Sequence, residues 1–251
     1  MKSKVILGSI LFAFGLMGIA SILTMEMSLP SEIEAMLGDQ FSSRQVRLLS
    51  LINPTIMLLI AVIVGTILYQ KVHLKIPLIE KIVGINNDNS VGFDILKYGI
   101  LGGILSGILL VLVGLVFNPI LPTEFLELGE SFKPALETRF LYGGITEEIL
   151  MRFGLMTFIV WIASKLLNGT KPIIYWAGII IAAIVFALAH FPIVYQLVGN
   201  PSFMLLTYIL IGNSIGGIIF GWLYWKNGLE SAVMAHIFAH VVIVLAELMP
   251  Y

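Results

Sequence analysis

The sequence predicts an all-α polytopic membrane protein, a bundle of about seven (seven or eight) transmembrane helices. Three observations carry this. The 251 residues are 59% hydrophobic and only 12% charged, about half the charged share of a soluble domain. The mean hydropathy is +1.01. Uncharged runs long enough to span a bilayer as helix, about 20 residues, recur along the whole chain.

Between Lys4 and Glu26 there is no charge, which predicts a first span over 5–25. MKSK followed by an apolar run resembles a signal peptide, but the run is about twice a usual signal core and no small-x-small cleavage site follows. A retained first helix is expected. Uncharged runs from Leu48 to Gln70 and from Tyr98 to Thr123 predict spans over 48–70 and 97–121. Around Glu147 a fourth span is expected over 139–165. From Pro172 to Trp225 the only ionisable side chain besides tyrosine is His190. That run holds two spans, 173–191 and 203–225, with the break expected in FPIVYQLVGNPSF, which has two prolines and a glycine. A last span covers 230–249. Between spans, Met25 to Arg47 is polar and acidic early, Lys71 to Lys97 carries four lysines, and Pro122 to Thr138 reads as an amphipathic interfacial helix.

Net charge is -1, with no basic stripe, so no nucleic-acid partner is expected; membrane lipid is. The chain has no cysteine, which excludes disulfides, thiolate metal sites and cysteine catalysis. Lysine and arginine bias sets orientation. With the N-terminus inside, Lys2, Lys4, Lys71, Lys75, Lys81, Lys97, Lys165, Lys171 and Lys226 face the cytoplasm, against Arg44, Arg47, Lys133 and Arg139 outside. Nine against four predicts a multi-pass cell-membrane protein with its N-terminus cytoplasmic and its C-terminus outside.

Ionisable groups inside membrane spans are costly and mark function. Away from span ends they are Glu147, Glu148, Arg152, His190, His236 and His240. Glu148 and Arg152 are four apart and share a face, so an ion pair that holds helices together is expected. Glu147 points about 100° away and has no local cation. A desolvated carboxylate of this kind suits general-base work near neutrality. His190 closes FALAH, one turn after Phe186; a lone intramembrane histidine is more often a helix contact than a ligand. His236 and His240, in HIFAH, lie one turn apart, which suits two metal ligands or two donors to one oxyanion. In IGNSIGGIIFGW, Gly212 and Gly216 make a GxxxG face for close helix packing.

EEILMR, FALAH and HIFAH, in that order on separate helices, resemble the CAAX protease and bacteriocin-processing family, with its EExxxR, FxxxH and HxxxN or HxxxD motifs. Glu147, Glu148 and Arg152 match the first, Phe186 and His190 the second, His236 the third; FGWLY before HIFAH is also similar. The resemblance covers roughly 135–245. It implies a C-terminal catalytic bundle over 135–251, with 1–134 as transmembrane helices of no family signature. It implies an intramembrane protease in which Glu147 and His190 activate water, while His236 and the residue one turn later stabilise the oxyanion. His240 stands where the family has Asn or Asp. A histidine there can still donate a hydrogen bond, and it also makes zinc chemically easier, with Glu147, His190, His236 and His240 as four ligands. Metal-free and zinc readings both stand. Without an added domain, the chain is similar to the bacterial members that process peptide pheromones or bacteriocins or confer immunity, and the family favours a site open to the cytoplasm. The rival readings are a non-catalytic peptide-binding immunity or scaffold protein and a small proton-coupled transporter; the latter would show two-fold repeats with broken helices, which the sequence lacks.

Overall fold

Each hydrophobic run is a helix in the computed structural model, which describes residues 2–25, 41–86, 91–131 and 134–249. Among these there is no strand. Helix α1 (Lys2–Ser21) ends in a 3₁₀ turn, Ile22–Thr24; α2 (Ser43–Ser50) leads into α3 (Ile52–Leu68) and a second 3₁₀ turn, Tyr69–Val72. After the short α4 (Pro77–Ile82) come α5 (Val91–Phe117) and α6 (Pro122–Ser131). Two π-helical segments, π1 (Thr138–Glu147) and π2 (Ile149–Met156), run on into α7 (Thr157–Leu166). Helices α8 (Pro172–Leu188), α9 (Phe191–Val198), α10 (Phe203–Asn227) and α11 (Leu229–Glu247) complete the bundle. Seven of the resulting stretches are long and apolar enough to cross a membrane. The early acidic part of the first polar segment, 26–40, and Lys133 lie outside the described residues.

Two boundaries differ from expectation for physical reasons. Helix α5 begins six residues early, at Val91 rather than 97, with Asp94 in its first turn where a carboxylate favours the helix dipole. It stops at Phe117, just ahead of Pro119, which disfavours helical backbone in the residue before it. In the fifth span, FPIVYQLV is helix and not break. Pro192 stands in the first turn of α9, where its missing N–H costs nothing. The chain turns instead at Gly199, whose φ of 74° is left-handed.

Polarity is inverted relative to a soluble domain. Leu101, Leu105, Ile108, Leu112 and Leu115 of α5 point outward, while Ser106, Thr146, Thr157 and Ser231 are fully buried. Lipid is as apolar as leucine, so packing and hydrogen bonds, not hydrophobicity, hold such helices together. The Thr146 hydroxyl donates to the Gly15 carbonyl at 2.9 Å and that of Thr138 to Ser21 at 2.8 Å, tying α1 to π1.

Small residues set the close approaches. On α5, a Cβ at Gly99, Gly103 or Gly107 would run into Met234, Phe238 or Val242, so α11 lies directly on this glycine stripe. Helix α10 meets α8 through Gly217, whose Cβ would sit 2.7 Å from that of Ala183, and through Gly221. The expected Gly212–Gly216 pair is looser, with only Leu110 at 3.5 Å from a Cβ on Gly212. The N-terminal end of α11 is anchored by Glu230, whose Oε1 accepts from the backbone N–H of Leu78 (2.9 Å) and Ile79 (3.1 Å) and so caps α4.

Candidate active site

The first motif lies at the junction of π1 and π2, with Glu148 as the one α-helical residue between them. π-Helical turns are uncommon and recur at functional sites. Just before the motif, Gly143 and Gly144 leave room for α11. A Cβ on Gly143 would lie 2.7 Å from His240 Nε2, and one on Gly144 would collide with Ile237.

From this junction a polar chain crosses the bundle. Arg152 Nε lies 3.1 Å from Glu148 Oε2, the ion pair the spacing predicts, with both side chains essentially inaccessible. Glu148 Oε1 is 2.9 Å from His236 Nδ1. A carboxylate held ionised by arginine can only accept, so Nδ1 carries the proton. The neutral His236 ring then presents the lone pair of Nε2 to the other side, where Glu147 Oε2 stands 4.0 Å away. Glu147 takes no hydrogen bond among the described residues, and 19% of its side chain is accessible.

Aromatic rings build the walls. The Arg152 guanidinium sits over Phe186 (4.9 Å to the centroid) and Phe220 (5.5 Å), an arrangement that offsets part of the cost of a buried cation. Phe220 stacks on His236 at 4.6 Å, and His236 stacks on His240 at 5.0 Å. Phe186 meets His190 edge-on at 4.8 Å and His236 at 6.1 Å. One phenylalanine thus touches the second motif, the third motif and the arginine of the first.

His190 lies at the junction of α8 and α9, inside the apolar stretch Pro172–Val198. Its Nδ1 is 2.8 Å from the Phe186 carbonyl. A carbonyl only accepts, so this ring also offers Nε2 as an acceptor. His240 differs: its Nδ1 is buried without a partner.

Residues 131–242 match the Rce1-like type II CAAX prenyl endopeptidase family. The resemblance carried by the three motifs is borne out. The Rce1-like stretch begins before π1, ends after His240 and takes in Glu147, Glu148, Arg152, Phe186, His190, His236 and His240. At family level it supports an intramembrane protease. No curated protein and no solved structure matches the chain.

The zinc reading needs Glu147, His190, His236 and His240 to converge. Among the described residues no three or more acidic or histidine side chains are set to hold one metal ion. His236 keeps Nε2 free, with Nδ1 on a carboxylate as in many metal-bound histidines, but its ring lies within 17° of parallel to that of His240 and the two do not converge. As placed, these side chains do not form a zinc cage. Two features of the site escaped the sequence: the Glu148–His236 hydrogen bond, which joins residues 88 apart in the chain, and Phe220. A buried arginine needs π faces, and the aromatic run FGWLY was the available signal for the second.

Proposed function

We propose that this protein hydrolyses a peptide bond in a membrane-associated peptide or protein, with water activated by Glu147. The observation that carries the reading is a partly open carboxylate with no hydrogen-bond donor among the described residues, facing a histidine at 4.0 Å inside the bundle. A water between Glu147 and His190 Nε2 would give one hydrogen to each acceptor and aim an oxygen lone pair at the scissile carbonyl. Glu147 takes the proton as the C–O bond forms. His240, whose ring nitrogen is unspent, donates to the developing oxyanion in the role the family gives to Asn. Glu148, Arg152 and Phe186 hold the frame.

In this reading 135–251 is the catalytic bundle and 1–134 supports it. The protein resides in the cell membrane, N-terminus cytoplasmic and C-terminus outside by charge bias. Its work is the processing of a peptide pheromone or bacteriocin, or immunity to one. The reading is metal-free; a zinc enzyme would lose its metal on His240→Asn, which elemental analysis reads directly. Purified protein incubated with a peptide library should release products that Glu147→Gln does not. Equal product from the variant would refute the mechanism, and peptide binding without cleavage by either would favour a non-catalytic immunity protein.

A further inference from the structure

The leaving amine needs a proton, and the family role of His236, oxyanion donation, does not fit the hydrogen bond this ring makes. With Nδ1–H given to Glu148, the neutral ring has no second N–H to offer. Its free Nε2 is an acceptor, and 4.0 Å from it stands Glu147, the base that has just taken a proton from water. We infer that His236 is the general acid of the reaction, a proton shuttle from Glu147 to the leaving amine, and that Glu148 is its positioning residue.

This rests on the proposed hydrolysis. Water attacks the carbonyl carbon and its proton goes to Glu147. Glu147 passes that proton to His236 Nε2, closing the 4.0 Å gap. The resulting imidazolium is held by Glu148 on its far side, a carboxylate fully buried and fixed by Arg152. A carboxylate behind an imidazole orients the ring and stabilises its charged form in just this way. As the tetrahedral intermediate collapses, the C–N electron pair goes to nitrogen, His236 gives Nε2–H to it, and the amine departs neutral. Glu147, Glu148 and His236 end in their starting states. Phe220, stacked at 4.6 Å, keeps the ring from turning away.

The two roles differ in their dependence on the leaving group. An oxyanion donor is needed equally for an amide and an ester; a general acid matters far more for the amine. The test compares a cleaved peptide with its ester isostere at the same bond, in wild type, His236→Gln and Glu148→Gln, each checked for folding by melting temperature. Loss of general-acid catalysis should cost about 10²–10⁴-fold in kcat on the amide and less than about tenfold on the ester. Glu148→Gln, which keeps an acceptor for Nδ1–H but removes the charge, should show the same selectivity with a smaller loss. If a variant fails to fold, the wild-type solvent isotope effect decides instead: it should be larger for amide than for ester. Equal losses, or equal isotope effects, overturn the shuttle and leave the hydrolysis standing. Absence of any Glu147-dependent cleavage removes both.

Discussion

Glu147 and Glu148 are chain neighbours with opposite surroundings. Glu148 is fully buried between Arg152 and His236, whereas Glu147 is partly open and unbonded. The division was legible from spacing alone, because a residue four away shares a helical face and an adjacent one does not. Removing one member of a buried ion pair costs about 3–5 kcal/mol. Arg152→Ala should therefore lower the melting temperature in detergent and the yield; unchanged stability with lost turnover would move Arg152 into the chemistry. His240→Asn should retain most activity, since asparagine is the family's usual donor. His240→Ala should lose a factor of about a hundred to a thousand, the loss typical of one oxyanion-hole donor. If both variants matched wild type in kcat, His240 would have no part in the reaction. The bond from Glu148 to His236 and the stack of Phe220 on that ring were not legible, because both join different helices and nothing in their local sequence encodes the partner.

At the scale of elements, hydrophobic runs located every span, but the irregularities that shape the site left no such trace. A π-helical turn has the composition of an α-helical one, so π1 and π2 could not be read from the residues. Proline is ambiguous in the same way: Pro192 begins a helix because it falls in a first turn, where the sequence suggested a break. Glycine spacing gave the right kind of contact in the wrong register. Gly217 and Gly221 make the tight face of α10, five residues on from the pattern at Gly212 and Gly216, and a separate stripe, Gly99–Gly103–Gly107, seats α11. This register is testable. A methyl at Gly217 meets Ala183 at 2.7 Å, backbone close behind, whereas one at Gly212 meets Leu110 at an ordinary 3.5 Å. Gly217→Ala should destabilise by about 1–3 kcal/mol, the usual cost of overpacking, and Gly212→Ala should be near neutral in thermal unfolding. The reverse order would place the α8–α10 contact elsewhere.

For the whole molecule, composition predicted the class and apolar length predicted about seven spans (seven or eight); among the described residues seven helices are long and apolar enough to cross a membrane. The position of the site's mouth is a matter of packing. Toward Leu166, the span that holds Glu147 is sealed by Phe153, Met156, Thr157 and Val160, all at 0% exposure. At the other end Arg139 and Glu247 pair at 2.9 Å across π1 and α11, with Glu247 half exposed. The chamber should open at this second end, which the proposed orientation puts outside, against the cytoplasmic opening that the resemblance implied. The absence of native cysteines makes the check clean. His190→Cys should react with an impermeant thiol probe from the same side as Glu247→Cys, and labelling from the side of Lys226→Cys would reverse the assignment. The central claim, that Glu147 drives water onto a peptide bond inside this bundle, is tested most directly in proteoliposomes made up in H₂¹⁸O. The product with the new carboxyl terminus should carry one ¹⁸O by mass spectrometry, and Glu147→Gln should make none of it. Labelled product at the wild-type rate from Glu147→Gln would contradict the account.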